Sequence, residues 1–258
     1  MRRLDLELVK RGLARSRGEA KSLIESGQVL VNGFRIDKTS TLVSDKVSIK
    51  VKKESSKYVS RAALKLLSVL PELKINFQNK LVLDAGSSTG GFVQVALERG
   101  ARKVYAVDVG YGQLAWSLQT NPRVVVMDRT NIKDLTPDVF PEKVDLITAD
   151  LSFISLRNIM KVLVELVKPQ GDILVMVKPQ FEVGKFNVGK GVVGSRELRQ
   201  SAILNVVQFA KQLNWVVVGA VESSVHGPNG NREFFLHLRQ NGAELSQEVI
   251  SERVSGDF

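Results

Sequence analysis

Two lysines and two acids, Lys65, Asp150, Lys178 and Glu233, have side chains whose types suit one shared chemical task. We predict each at the end of a strand, or for Lys65 in a helix, beside one edge of a sheet. A lysine removes the proton of a weakly acidic alcohol, such as a ribose 2′-hydroxyl, only as the neutral amine, which burial and a neighbouring ammonium both favour. Each residue alone is more often a surface salt-bridge partner, but their conjunction favours catalysis. We therefore predict Lys178 as the base, Asp150 as the group that orients and balances the lysines, and Glu233 as a partner of Lys65 or of the ribose.

A glycine-rich loop follows an apolar run at residues 81–92, LVLDAGSSTGGF. Residues 81–83 are predicted to form a buried parallel strand, and glycines allow backbone to approach a ligand where a Cβ would clash. Three residues separate Gly86 from Gly90, so the glycine that admits pyrophosphate in dinucleotide sites is missing. The residues predicted to bind a cofactor here are Asp84, Gly86, Ser87, Ser88, Thr89, Gly90, Gly91 and Phe92.

Further acids follow the next two predicted strands. Asp84 would repel a phosphate but suits a ligand that carries an amine, and S-adenosylmethionine fits both this charge and the glycine spacing. Asp108, after strand 103–107, is predicted to accept hydrogen bonds from the ribose hydroxyls, and Asp128, after strand 123–127, to take the adenine amino group. A phosphate-binding or purely structural turn is the alternative, which acids at three consecutive strand ends disfavour.

The elements that would carry these residues alternate between strand and helix. Ser60 is predicted to cap a helix that Pro71 stops. A glycine-rich stretch, residues 180–194, contains Lys185 and Lys190 and is predicted to be an RNA-binding substrate loop. This alternation indicates a Rossmann-like α/β domain with a mainly parallel seven-stranded sheet. The predicted helices are 61–70, 92–99, 156–167 and 197–213, and the remaining predicted strands are 144–148, 173–177, 215–221 and 233–238.

The first residues differ from the rest in charge. The chain carries 37 basic and 27 acidic residues, net +10, and its first 60 residues hold 14 basic and seven acidic ones. This excess indicates a polyanionic partner, either nucleic acid or an anionic membrane surface. The pattern predicts helices 4–13 and 17–26, strands 29–31, 34–36 and 46–51, and a hairpin turn at Asn32 and Gly33. We predict a small α+β domain at 1–57 that ends in a polar linker, a catalytic domain at 58–242, and a helical or frayed tail at 243–258; the resemblance described below implies that the small domain binds RNA.

Several classes of protein are disfavoured. Cysteine is absent, and His226 and His237 stand apart from other ligand-type residues, so no metal site is expected. No apolar run approaches the roughly twenty residues that span a bilayer, and the first twelve residues carry acids where a signal peptide needs an apolar core. We therefore expect a cytoplasmic protein with no membrane partner, and the oligomeric state is not predicted.

Several motifs carry a family resemblance. SRAALKLL, DAGSSTGGF, VDLITADLSF, MVKPQFE and GNREFF resemble the FtsJ-type ribose methyltransferases, and RLDLELVKRGLARSRGEAKSLIESGQVLVNG resembles the RNA-binding domain named after ribosomal protein S4. Together they resemble the TlyA family, also called hemolysin A. The resemblance covers nearly all of residues 1–240, and Thr39, where the family often has proline, is one departure.

The resemblance implies S-adenosylmethionine-dependent 2′-O-methylation of cytidine in ribosomal RNA or a ribosomal subunit. The family's K-D-K-E tetrad falls on Lys65, Asp150, Lys178 and Glu233, and Phe153 is either a stacking platform for the target base or a core residue. Two alternatives are an RNA-binding protein with an inactive methyltransferase domain and a membrane-lytic toxin, which the lack of a spanning segment disfavours. The residues implied to contact RNA phosphates are Arg3, Arg15, Arg17 and Lys21.

Overall fold

The structure is a computed structural model that describes residues 1–14, 16–25, 27–51, 57–184, 188–189 and 191–254. It divides into two compact units, Met1–Lys57 and Tyr58–Phe258. Arg15, Lys185 and Lys190, most of the predicted linker, and the last four residues lie outside the described part of the chain.

The smaller unit packs two helices against short strands. Its apolar core joins the two helices to the strands through Leu4, Leu8, Ile24 and Val29, all fully buried. The turn between residues 31 and 34 has positive φ angles at Asn32 (50°) and Gly33 (88°), as the asparagine-glycine hairpin signal predicts. The elements are β1 (Arg2–Arg3), α1 (Leu4–Lys10), α2 (Arg17–Glu25), β2 (Val29–Val31), β3 (Phe34–Arg35), β4 (Leu42–Val43) and β5 (Ile49–Val51), which form an antiparallel β1–β4 pair and an antiparallel sheet in the order β3-β2-β5.

The larger unit is built on a seven-stranded sheet in the order β11-β12-β10-β9-β6-β7-β8. Strands β6 to β10 run parallel, and β12 is antiparallel to both of its neighbours. The predicted Rossmann-like fold with a mainly parallel sheet is confirmed. The strands are β6 (Leu81–Ala85), β7 (Lys103–Val107), β8 (Val124–Met127), β9 (Val144–Ala149), β10 (Val167–Val177), β11 (Val216–Glu222) and β12 (Phe234–Arg239).

Helices cover both faces of this sheet, which explains why its central strands are apolar on both sides. Leu66 and Val93 belong to the core on one face, and Leu163, Val206 and Ile250 belong to the core on the other. The helices are α3 (Ala62–Leu73), α4 (Gly91–Glu98), α5 (Trp116–Gln119), α6 (Met160–Leu166), α7 (Pro179–Glu182), α8 (Arg196–Gln212) and α9 (Gln247–Arg253).

The structure corrects the predicted limits of several elements. Pro71 does not stop α3, which continues to Leu73, because a proline in the last turn removes one backbone donor without preventing the turn. Ser60 does not cap this helix, and its hydroxyl has no hydrogen-bond partner among the described residues. Strand β10 begins six residues before the predicted strand, with a register irregularity after Val167.

The predicted tail at 243–258 contains the helix α9. Ser246 caps α9 by accepting a hydrogen bond from the backbone amide of Val249. Ile250 and Val254 are buried in the core of the larger unit. This segment therefore packs on the rest of the larger unit through its apolar side chains.

Candidate active site

The carboxyl ends of the parallel strands meet at one edge of the sheet, where open α/β sheets bind ligands. A cavity of about 510 Å³ opens there. Its lining includes Gly86 and Ser88 from the glycine loop, Asp108 after β7, and Asp150 after β9. It also includes residues that the sequence reasoning missed, namely Gln113, Thr130, Asn131, Ile132, Leu151 and Ser152.

Two glycines of the loop are required by the fold itself. Gly86 has a φ of +83°, and a Cβ there would lie 2.7 Å from the carbonyl oxygen of Asp150. A Cβ on Gly91 would lie 2.7 Å from the backbone nitrogen of Ala63, so this glycine lets α4 approach the start of α3. The glycines therefore bring the β6 loop close to the β9 loop and to α3, in addition to lining the cavity at Gly86.

Asp84 is buried within β6 rather than at its end, and it faces a smaller cavity of about 170 Å³ that Ser87 and Lys178 also line. Its Oδ1 accepts a hydrogen bond of 2.7 Å from Thr148 Oγ1, while its Oδ2 has no partner among the described residues. Burial, opposed by the Thr148 hydrogen bond and reinforced by repulsion from Asp150 and Asp108, raises the pKa of Asp84 to about 7. An orphaned buried carboxylate oxygen beside a cavity is suited to bind an amine or another cation.

Asp108 is held by the loops on both sides of it. Its Oδ2 accepts the backbone N–H of Ser88 at 2.8 Å, and its Oδ1 accepts that of Gly110 at 2.7 Å. Each carboxylate oxygen has a second acceptor direction. Asp108 is therefore oriented at the cavity wall with capacity left for hydroxyl donors, as the ribose prediction requires.

The other predicted cofactor residues have different surroundings. The Asp128 carboxylate accepts the backbone N–H of Gly112 at 2.8 Å, and Asp128 is not one of the described residues that line the large cavity. Phe92 is 2% exposed and packs on Phe235, so it is mainly a core residue that borders the small cavity. Thr89 is exposed on the loop. The adenine role of Asp128 stays a prediction, whereas Asn131 and Ile132 line the large cavity.

The four predicted catalytic residues converge as two ion pairs. Lys65 Nζ lies 2.5 Å from Glu233 Oε2, and Lys178 Nζ lies 2.6 Å from Asp150 Oδ1. Both lysines and Glu233 line a cavity of about 440 Å³. Glu233 is fully buried, and the lysines are 9% and 8% exposed. Burial of this kind is tolerated because each charge has an opposite charge in contact.

These pairs are contacts by distance rather than by ideal hydrogen-bond direction. The two Glu233 oxygens and Asp150 Oδ1 make no well-aligned hydrogen bond with any residue that the structure describes. Lys178 Nζ donates a well-aligned hydrogen bond to Ser152 Oγ at 2.9 Å. The arrangement leaves both carboxylates with unused acceptor capacity toward the cavity.

Phe153 lies between the two large cavities and lines both. Its side chain is 90% exposed, its φ is +64°, and its ring centre lies 5.2 Å from that of Phe181. The alternative that Phe153 is a core residue is therefore wrong. An exposed aromatic face beside the lysine cavity is able to stack on a planar group.

The predicted RNA contacts that the structure describes lie in the smaller unit. Arg3 and Arg17 converge on the nearly buried Asp5, with contacts of 3.0 Å and 3.2 Å. The hydrogen bond from Arg3 lowers the pKa of Asp5, with a further contribution from Arg17. Lys21 lies 3.7 Å from Glu25 and is largely exposed. The two arginines therefore present their free N–H groups from one point on the surface.

Metal sites and membrane spans are the remaining features that bear on function. No group of three or more metal-ligating side chains occurs among the described residues. Within the same ranges, no helix is both long and apolar enough to cross a membrane.

Comparison with known proteins identifies both units. Residues 58–240 match the family of FtsJ-like methyltransferases, and residues 2–49 match the S4 domain. The 16S/23S rRNA (cytidine-2′-O)-methyltransferase TlyA of Mycobacterium tuberculosis is 48% identical over 255 residues, which are 98% of this chain and 95% of that protein. The 23S rRNA (cytidine-2′-O)-methyltransferase TlyA of Campylobacter jejuni is 38% identical over 259 residues, which are 93% of this chain and all of that protein.

A solved structure from Streptococcus thermophilus shares the architecture. The two chains superpose with a TM-score of 0.79 and are 35% identical. The match covers 98% of this chain and 94% of the S. thermophilus chain. The resemblance that the sequence motifs carry is confirmed. The chain therefore belongs to the TlyA family, in which an S4 domain precedes an FtsJ-like methyltransferase domain.

Proposed function

We propose that this protein transfers a methyl group from S-adenosylmethionine to the 2′-hydroxyl of a cytidine in ribosomal RNA. The observation that carries the proposal is the position of the two ion pairs beside the cofactor-type cavity. Ser152 and Phe153 line both the 510 Å³ cavity and the cavity that holds the lysines. The cytidine and the ribosomal RNA follow from the relatives of M. tuberculosis and C. jejuni, and they imply action in the cytoplasm.

The residues around the large cavity and around the small cavity that shares part of its lining fit S-adenosylmethionine, which when bound supplies a methyl group on a positively charged sulfur. Asp84 offers the amine of the amino-acid portion a buried carboxylate oxygen that has no partner among the described residues. Asp108 offers acceptor directions to a ribose diol. The charge of these two acids and of Asp150 disfavours a phosphate ligand at the same edge.

Lys178 is the proposed base. The proton of the 2′-hydroxyl would pass to Lys178 Nζ as the oxygen took the methyl group that bound S-adenosylmethionine would supply from its sulfonium. Asp150, 2.6 Å from Nζ, balances the ammonium that forms. Lys65, held by Glu233 at 2.5 Å, contributes a positive charge that favours the developing 2′-oxyanion. The four residues thus divide into a proton-accepting pair and a charge-stabilising pair.

The smaller unit supplies RNA binding in this proposal. Arg3 and Arg17 remain 45% and 64% exposed while they contact Asp5, so each guanidinium keeps N–H donors for phosphate. Phe153 offers its exposed face to the target base. Arg15, Lys185 and Lys190 stay predictions as RNA contacts.

The test replaces the base and separates its proton chemistry from its charge. Lys178→Ala should leave S-adenosylmethionine affinity within about twofold and lower the single-turnover rate by at least the factor of about 10² typical of general-base catalysis. Lys178→Arg should be equally slow, because guanidinium keeps the charge but stays protonated. Lys161→Ala, an exposed lysine on α6, is the matched control.

The assay measures methyl transfer to ribosomal subunits and identifies the product as 2′-O-methylcytidine by nucleoside mass spectrometry. Full activity in Lys178→Arg would exclude Lys178 as the base and leave it an electrostatic role. A wild-type protein that binds RNA and cofactor but transfers no methyl group to any ribosomal RNA would overturn the proposed function.

A further inference from the structure

We infer that Ser152 is a positioning residue for this reaction: its hydroxyl aligns Lys178 so that the lysine lone pair is directed at the substrate hydroxyl. The inference rests on the proposed function and adds a residue outside the group of two lysines and two acids. Its starting observation is the hydrogen bond of 2.9 Å that Lys178 Nζ donates to Ser152 Oγ.

The geometry of an amine explains why a second contact matters. A neutral lysine nitrogen has four tetrahedral directions, occupied by Cε, two hydrogens and one lone pair. Lys178 Nζ has two oxygen partners, Asp150 Oδ1 at 2.6 Å and Ser152 Oγ at 2.9 Å. The aligned hydrogen bond to Ser152 Oγ fixes one hydrogen, and the nearby Asp150 carboxylate attracts the second, which leaves the lone pair one remaining direction. With Asp150 alone, rotation about the Cε–Nζ bond exchanges the lone pair between two directions.

Ser152 also stands where the reacting groups must meet. It lines the large cavity, the small cavity beside Asp84, and the cavity that holds Lys65 and Lys178. Among the described residues that line these cavities, Ser152 is common to all three. A hydroxyl at this junction is able to accept from Lys178 while it donates to the ribose.

The loop that carries Ser152 is held in place by contacts with α7. Phe153 adopts a φ of +64°, a strained backbone conformation for a side chain of this size that persists only where the surroundings hold it. Glu182, buried in α7, accepts hydrogen bonds from Ser155 Oγ at 2.6 Å and from the backbone N–H of Leu156 at 2.7 Å. The Phe153 ring rests on Phe181 of the same helix. These contacts with Glu182 and Phe181 fix the loop, and they therefore fix the position of Ser152.

The experiment compares Ser152→Ala, Ser152→Thr and Ser152→Cys in the full-length chain, with Ser201→Ala on the exposed side of α8 as control. Ser152→Ala should lower the single-turnover rate at saturating RNA and cofactor by about tenfold or more, a part of the general-base contribution. The affinities for S-adenosylmethionine and RNA should stay within about twofold of wild type, because the lost contact acts on the proton transfer. Ser152→Thr keeps the hydroxyl and should restore the rate to within about threefold.

A second measurement reads the position of Lys178 without turnover. In protein with ¹³C-labelled lysine, the Cε resonance that Lys178→Ala removes should move in Ser152→Ala and return in Ser152→Thr. Ser152→Cys keeps the side-chain size but is a weak acceptor, so it should behave like Ser152→Ala. This variant decides the matter if Ser152→Ala unfolds at a lower temperature than wild type.

The outcomes are distinguishable. If wild-type protein transfers no methyl group to RNA, the proposed function fails and this inference fails with it. If wild type is active and Ser152→Ala and Ser152→Cys both react within twofold of it, the proposed function stands and Ser152 has no positioning role. An unmoved Lys178 resonance in both variants also overturns the inference.

Discussion

Replacing Asp84 by asparagine should stabilise the protein at neutral and alkaline pH while it weakens cofactor binding. Asparagine keeps the shape of the side chain and the acceptor for Thr148, and it replaces the orphaned Oδ2 by an uncharged NH₂ group. The carboxylate pKa is raised from 3.8 to about 7, so the folded protein binds a proton more tightly than the unfolded chain does. The stability that the neutral form provides is therefore complete below pH 3.8 and is lost as pH rises through about 7.

The magnitude follows from these two pKa values. Linkage between them makes the Asp84 carboxyl lower the free energy of unfolding, relative to a permanently neutral group, by about 4 kcal/mol at pH 8 and by about 2 kcal/mol at pH 5. Asparagine avoids this cost but leaves a buried NH₂ group to be satisfied, a penalty of about 1 to 3 kcal/mol that does not depend on pH. The difference in unfolding free energy, Asp84→Asn minus wild type, should therefore grow by about 2.5 kcal/mol between pH 5 and pH 8.

Urea unfolding at several pH values measures this difference, and calorimetry measures the cofactor. Asp138→Asn is the control, because Asp138 is exposed and its pKa is lowered by a hydrogen bond from Thr136. Wild type should bind S-adenosylmethionine more tightly as pH rises toward about 7, because the amine favours the ionised carboxylate, whereas Asp84→Asn should bind at least tenfold more weakly at pH 8. Parallel stability profiles for Asp84→Asn and wild type from pH 5 to pH 8 would refute the buried-carboxylate argument.

Two further substitutions test the other proposed contacts. Asp108→Ala should weaken S-adenosylmethionine binding by about 1 to 3 kcal/mol, the cost of losing a charged hydrogen bond, and unchanged calorimetric affinity would remove the ribose role. Combined replacement of Arg3 and Arg17 by alanine should weaken RNA binding and reduce the slope of log affinity against log salt by about 1.4 to 1.8. Asp5→Asn should also weaken RNA binding because the two arginines lose their common partner, and tighter binding would show that Asp5 competes with phosphate.

Much of the fold follows from patterns within short stretches of the sequence. Strand 103–107 is predicted with the bounds that the structure shows, because a short apolar run between polar turns is typical of a strand buried on both faces. The acids after such runs could be assigned to one edge because parallel strands end together. The same reasoning assigns Asp108, Asp150 and Lys178 to this edge, where they line the cavities.

Local sequence patterns predicted helix ends and side-chain burial less well where these depend on contacts with residues far away in the chain. Pro71 is a helix-stop signal in the sequence, but the packing of Leu70 and Leu73 into the core keeps α3 helical beyond it. Asp84 and Asp128 follow similar strand patterns. Asp84 is buried, and it has an oxygen without a partner among the described residues and a raised pKa. Asp128 accepts a hydrogen bond from the backbone N–H of Gly112 and is not among the described residues that line the large cavity.

The composition of the proposed catalytic group was predicted from the sequence, which offered Lys65 or the ribose as the partner of Glu233, and the tertiary structure decided the pairing. Residue types and strand ends indicated two lysines and two acids at one edge, but the partner of each lysine depends on side chains that are far apart in the chain. Lys65 pairs with Glu233 and Lys178 with Asp150, and each pair joins two different elements across the sheet edge. Ser152 carried no sequence signal of its own, because a serine becomes distinctive only when a clamped loop brings its hydroxyl to a buried lysine.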